Sequence, residues 1–352
     1  MVPCIAIMLA IAASNGAAPI PFYEDKTNLL VYLDEDDHAQ PVLSTADWGI
    51  RRAQIQAHFE EVAGKIPARP AQAPAMTEEE SVAFPRYVRK KIRLTVASND
   101  VLPAYLLIPK HIEDKAPAVL CLHPTSKFGK GMVVGLGDRP NRNYATELAQ
   151  RGYVTLAPDY PGFGDYSIDV YARGWASATA KGIWNHMRCV DFLQSLPEVD
   201  GDRIGCIGHS LGGHNALFVA LFDDRIKAVV TSCGFTKFSK YYGGDLTGWS
   251  HQGYMPRIAE VYGKDPARMP FDFTEILAAM APRPVYINAP LHDTNFDVFG
   301  VRLCVAAATP VYQLFGASGN VVVAHPDCGH DFPPAQREAA YRLLDRALRR
   351  RS

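Results

Sequence analysis

Ser210 lies in the stretch Gly208-His209-Ser210-Leu211-Gly212-Gly213, between an apolar run (RIGCI) and a helical segment (GGHNALFVALF). A structural turn needs one or two glycines. A serine that must react needs a sharp turn and small neighbours, so that a substrate can approach the hydroxyl. The same turn opens a helix, whose N-terminal N–H groups and dipole favour developing negative charge. This predicts Ser210 as a nucleophile and the Leu211 amide as one donor to the oxyanion formed when a carbonyl is attacked. A serine nucleophile needs a base, and the base needs an orienting carboxylate. His330, in CGHDFP after the run NVVVAHPD, is the candidate base. Asp293, in LHDTNFD after RPVYINAP, is the candidate acid, and Asp297 in the same loop is the alternative. Thr125, after PAVLCLH and Pro124, is the candidate second oxyanion donor, because Pro124 has no N–H.

Each candidate follows an apolar run, and the runs alternate with helical segments. PAVLCLH, YVTLAPDY, RIGCIGHS, IKAVVTSC, RPVYINAP and NVVVAHPD read as strands without clean polar alternation, as in a parallel sheet covered on both faces. The segments NYATELAQRG, KGIWNHMRCVDFLQSL, GGHNALFVALF, VFGVRLCVAAATPVYQLFG and AQREAAYRLLDRALRRR read as the covering helices. VRKKIRLTV and VLPAYLLIPK precede them as two strands joined by a tight SND turn. Strand–helix alternation predicts an open α/β sheet of about eight strands, with its chemistry beyond the carboxyl ends of the strands. His123 and Asp159, at strand ends near the site, are read as scaffold, and His325 and His186 as packing residues.

Residues 86–352 are thus read as one catalytic domain. Residues 20–85 form an N-terminal extension: ADWGIRRAQIQAHFEEVAGKIP has helical spacing, and PARPAQAPAMTEEE reads as a linker or surface wrap. Residues 1–19 contain an apolar run of about a dozen residues, too short to span a bilayer. They are read as a signal peptide, though without the usual Lys or Arg at the start. The expected location is secreted or periplasmic, with cytoplasmic as the alternative.

The chain has 352 residues and a formal net charge of -1. That argues against nucleic acid or an anionic membrane surface as the main partner. The seven cysteines show no CxxC pair or Cys/His ligand spacing, so no metal and no cofactor are expected. A thiol nucleophile at Cys328 is disfavoured, since nucleophile and base come from separate segments. The glycine-rich GMVVGLGD lacks a Walker lysine and reads as a surface loop. Lys127, Lys130 and Arg142, after the oxyanion loop, read as solvated surface, with contact to a carboxylate as the alternative. The aromatic segment KFSKYYGGDLTGWSHQGYMPRIAEVYG reads first as ordinary packing of a surface insertion; the alternative is part of the pocket wall, with Tyr241, Tyr242 and Trp249 stacking on a sugar or aromatic acid.

The pieces CLHPT, APDYPGFGDY, GCIGHSLGG, INAPLHDTNFD and PDCGHDFP occur in the order of the α/β-hydrolase superfamily. The chain resembles its branch of dienelactone hydrolases, acetyl xylan esterases and prolyl-oligopeptidase-type catalytic domains. The resemblance implies the α/β-hydrolase fold and a serine carboxylesterase with a Ser210–His330–Asp293 triad, acting on small or carbohydrate-linked esters. A peptidase or amidase on the same triad is the alternative. A non-catalytic binding protein of this fold is a remote one, since no triad member is missing. Oligomeric state is left open.

Overall fold

The computed structural model describes residues 20–349, so the signal-peptide expectation for residues 1–19 lies outside the described residues. Among the described residues, no helix is long and apolar enough to cross a membrane. A short hairpin (β1, Val31–Leu33; β2, Ala39–Pro41) leads into helix α1 (Thr45–Ala63). Then come β3 (Ala75–Ala83), β4 (Tyr87–Ala97), β5 (Asp100–Pro109), β6 (Ala116–Leu122), α2 (Tyr144–Gln150), β7 (Val154–Pro158), α3 (Ala178–Ser195) and β8 (Val199–His209). The second half holds α4 (Leu211–Phe222), β9 (Ile226–Ser232), α5 (Arg257–Glu260), α6 (Phe273–Ala278), β10 (Val285–Asn288), α7 (Val298–Leu314), β11 (Val321–Ala324) and α8 (Pro334–Leu348).

Nine strands form one sheet in the order β11-β10-β9-β8-β6-β7-β5-β4-β3. The six strands from β11 to β7 run parallel, and β5, β4 and β3 join antiparallel. Every residue of β6 is buried. Its alternate side chains enter different clusters: Ala118, Leu120 and Leu122 pack with Phe218, and Val119 and Cys121 with Tyr144 and Leu344. Period-two alternation sends them to opposite faces, so both faces are covered and the strand reads as a continuous apolar run. Helix α4 is apolar apart from His214 and Asn215 and buried from Leu211 to Leu221, as befits a helix in the middle of a large domain.

The N-terminal extension departs from the sequence reading in one respect. Helix α1 forms as expected, capped by Ser44 with Asp47 in a reciprocal capping box. Its buried Arg51 pairs with buried Glu275 of α6, which docks the extension on the catalytic domain. Residues 75–83, however, are the edge strand β3 rather than a linker, so the sheet has nine strands rather than about eight. This strand is mostly exposed, so no apolar periodicity marks it. It is held by backbone pairing to β4 and by charge: Lys90–Glu78 at 2.8 Å, and Arg93 with Glu79. Charged side chains on an edge also discourage pairing with a second chain.

The stretch GMVVGLGD is a second correction. Its first four residues, 131–134, belong to a buried 3-10 turn (Gly129–Val134) rather than a surface loop. Lys130, read as surface, is buried with it. Its amide donates to Asp159 Oδ1 at 2.7 Å, and its ammonium lies 2.6 Å from Asp159 Oδ2 and 2.8 Å from Asp165. Asp159 is thus the anchor that ties this turn to the end of β7. The hydrogen bond from Lys130 pulls the Asp165 carboxyl down to about 2 against some desolvation. A carboxyl depressed in the folded state stabilises the fold above its unfolded value of 3.8 and loses that contribution as pH falls through about 2. Thermal unfolding midpoints should therefore decline between these two values in the native chain. In Asp165→Asn that part of the decline should be absent.

Candidate active site

Ser210 directly follows β8 and takes φ 55° and ψ −119°, a left-handed conformation that is strained for a residue with a Cβ. The glycines make this elbow possible. A Cβ on Gly208 would lie 2.0 Å from the Gly212 carbonyl oxygen, and one on Gly212 would lie 2.1 Å from that of Leu122. Any side chain at either position collides with backbone, which cannot swing aside. The turn is closed by Ser210 N–H donating to the Ser232 carbonyl at 2.8 Å, and by the Gly213 amide donating to the Ser210 carbonyl at 2.8 Å.

His330 and Asp293 meet as the sequence suggested. His330 Nδ1 lies 2.9 and 3.0 Å from the two carboxylate oxygens of Asp293. Asp293 Oδ1 also accepts from the Asn295 and Phe296 amides at 2.8 and 3.1 Å. Burial opposes the ionised carboxyl, but the His330 hydrogen bond and these two amides outweigh it and hold its pKa below the usual value. An ionised carboxylate can only accept, so Nδ1 carries the ring proton and Nε2 keeps its lone pair. Asp297 instead caps α7, accepting from the Phe299 amide at 2.6 Å.

The His330 ring lies 4.8 Å from that of His209, the residue before Ser210, and 6.0 Å from Phe296, which lines the cleft at Ser210. Among the described residues no hydrogen bond joins Ser210 Oγ to His330. Such bonds often tighten only with substrate in place. His209 is fully buried, and burial, followed by Arg142 and His330, pushes its pKa well below 6.5, so it adds no charge here.

The cleft at Ser210 measures about 60 Å³, and Thr125, His214, Tyr241, Trp249 and Phe296 are among its lining residues. Neither the Leu211 nor the Thr125 amide has a hydrogen-bond partner among the described residues, which leaves both free for an oxyanion. His123 fixes the Thr125 loop as scaffold. Its Nδ1 lies 2.7 Å from the Pro124 carbonyl, and its Nε2 accepts from the Tyr160 amide at 2.9 Å. The aromatic segment does form a wall, with Tyr241 and Trp249 lining the cleft. Tyr242 is not part of it. It is 60% exposed, and its hydroxyl donates at 2.9 Å to Asn295, which lines the cleft.

Sequence reasoning missed the residues that hold the histidine loop. Arg142, read as solvated surface, is buried. It donates to the His330 carbonyl at 3.2 Å and to Asp331 at 2.5 Å. Asn288, at the end of β10, donates to the Asp331 carbonyl at 2.8 Å. The contacts join residues 188 and 43 positions apart, so no local pattern announces them. Arg142→Ala should lower kcat by up to about 10²-fold with little change in KM, since a small misplacement of a reacting group costs that much. Arg142→Lys should recover only part, because an ammonium cannot reproduce the guanidinium fork. Steady-state kinetics of both variants check this.

A strained serine elbow at the end of a central strand, in a mostly parallel sheet with helices on both faces, is the architecture of an α/β-hydrolase. The comparisons agree. Residues 141–296 match the prolyl oligopeptidase family. The putative hydrolase YtaP of Bacillus subtilis is 30% identical over 275 residues, 72% of this chain and 86% of that protein. The chain belongs to the α/β-hydrolase superfamily. Another relative is 4-O-methyl-glucuronoyl methylesterase 1 of Wolfiporia cocos, 23% identical over 96% of this chain and 84% of that protein. A glucuronoyl esterase structure from Solibacter usitatus superposes with a TM-score of 0.72 at 22% identity, covering 94% of this chain and 99% of that one. That likeness is one of fold.

Proposed function

We propose that this protein is a serine carboxylesterase acting on small or carbohydrate-linked esters. The observation that carries the reading is the strained Ser210 elbow beside a hydrogen-bonded His330–Asp293 pair. His330 Nε2 takes the hydroxyl proton as Ser210 attacks the ester carbonyl. The Leu211 and Thr125 amides hold the oxyanion, where one such donor is worth about 10²–10³-fold in rate. His330 then protonates the departing alcohol, and water releases the acid from the acyl-enzyme. Asp293 keeps the imidazole in the needed tautomer throughout.

The names of the relatives support the ester and carbohydrate part of this reading: a methylesterase of glucuronoyl groups and a glucuronoyl esterase.

The test combines labelling with a substrate panel. A fluorophosphonate probe should modify Ser210, located by peptide mass spectrometry. p-Nitrophenyl acetate should be hydrolysed and the matched p-nitroanilide left intact. Acetylated xylan and a methyl ester of glucuronic acid then separate the two carbohydrate options. Equal turnover of anilide and ester would establish the peptidase reading instead.

A further inference from the structure

Ester hydrolysis leaves Cys233 unused, although it stands against the base and the acid. Its Sγ, a carboxylate oxygen of Asp293 and a ring nitrogen of His330 lie within 4.8 Å of one another. Cys233 directly follows β9, is 3% exposed and has φ 48°, so the chain accepts local strain to place it there. Its amide donates to the Asn288 carbonyl at 2.8 Å, and its thiol to the Asp331 carbonyl at 3.3 Å. Thiolate, imidazole and carboxylate are the ligand types of Zn²⁺, and soft cations favour the sulfur. The three come from the loops after three neighbouring strands, so no sequence spacing reveals them.

We propose that Cys233, Asp293 and His330 form an inhibitory site for a thiophilic divalent cation, Zn²⁺ or Cd²⁺. The proposal rests on the reading of His330 as the base. The cation takes Cys233 Sγ, one Asp293 oxygen and His330 Nδ1. The thiol proton leaves to solvent, and neither metal nor sulfur changes oxidation state. Coordination at Nδ1 requires the lone pair there, so the one proton of the neutral ring moves to Nε2. A protonated Nε2 cannot accept the Ser210 proton, and attack on the ester stops. Around tetrahedral Zn²⁺ the sulfur and nitrogen sit roughly 3.5 Å apart. Ligand atoms that stand up to 4.8 Å apart must therefore draw together when the cation binds.

The test uses the full chain and the metal salts alone. ZnCl₂ and CdCl₂ should inhibit p-nitrophenyl acetate hydrolysis, reversibly on chelation. Cys233→Ser and Cys233→Ala should raise the half-inhibiting concentration at least about tenfold, since even lost outer contacts cost a metal site that much. Cys328→Ala should behave as the native chain. Binding is read separately from the ultraviolet thiolate-to-Cd²⁺ charge-transfer band. The band should persist in Ser210→Ala and be lost in both Cys233 variants and weakened in His330→Ala. This separates the metal site from the esterase reading: a Cys233-dependent band in a chain without esterase activity retains the site and overturns the reading it rests on. Equal inhibition with and without Cys233, or a band indifferent to Cys233 and His330, would overturn the site.

Discussion

Ser210→Ala is expected to lower kcat/KM for p-nitrophenyl acetate by about 10⁴–10⁶-fold and to abolish fluorophosphonate labelling. The substitution removes one oxygen and little else. Alanine meets the same left-handed backbone that serine already occupies at φ 55°, so the elbow keeps its strain and its shape. The closing hydrogen bonds of the turn are all made by backbone atoms and survive. Thermal stability should accordingly stay close to that of the native chain. The residual rate should exceed that of the solution reaction by about 10³–10⁴-fold, because the free amides at Leu211 and Thr125 still bind an oxyanion. Retained labelling and turnover would overturn the assignment and leave the glycines around Ser210 with a purely structural role.

The second large effect is expected at Asp293. Asp293→Asn should cost about 10⁴-fold in kcat, a loss far greater than that of one weakened hydrogen bond. The geometry gives the reason. Oδ1 is engaged by the Asn295 and Phe296 amides, so an asparagine would keep its carbonyl oxygen there. Its NH₂ would then occupy the place of Oδ2, which lies 2.9 Å from His330 Nδ1. The amide hydrogens would face Nδ1–H there and favour moving its proton to Nε2, a tautomer that cannot act as a base, against the one hydrogen bond Nδ1–H could keep to the Oδ1 carbonyl 3.0 Å away. Asp297→Ala is the control. It removes the cap on α7 and should cost about 1 kcal/mol of stability with turnover nearly intact. Kinetics and unfolding midpoints on the two variants together decide between the two carboxylates. A reversed pattern would move the acid to Asp297.

The two carboxylates show where sequence reasoning stops. Both lie in one short loop after the same strand, and both residue types suit a sheet-end acid. Only the three-dimensional path of the loop turns Asp293 toward His330 and Asp297 toward its own helix. Arg142 makes the same point from the other side. A charged residue is read as surface because burying it unpaired is costly. The partners that make its burial tolerable, Asp331 and the His330 carbonyl, come from the far end of the chain.

The sequence alone determined the alternation of strand and helix, the elbow at Ser210 and the sheet-end positions of His330 and Asp293. Those features are local: apolar period, turn chemistry and the steric demand for glycine act over a few neighbouring residues, and each leaves its mark in residue type. The tertiary structure decided what depends on distant partners. It recruited β3 to the sheet edge through backbone pairing and charge, buried Lys130 on Asp159, and left Tyr242 exposed while Tyr241 lines the cleft. It also brought Cys233 against Asp293 and His330. Contacts between strand ends far apart in the chain carry no periodicity, so only the folded arrangement of the sheet reveals them.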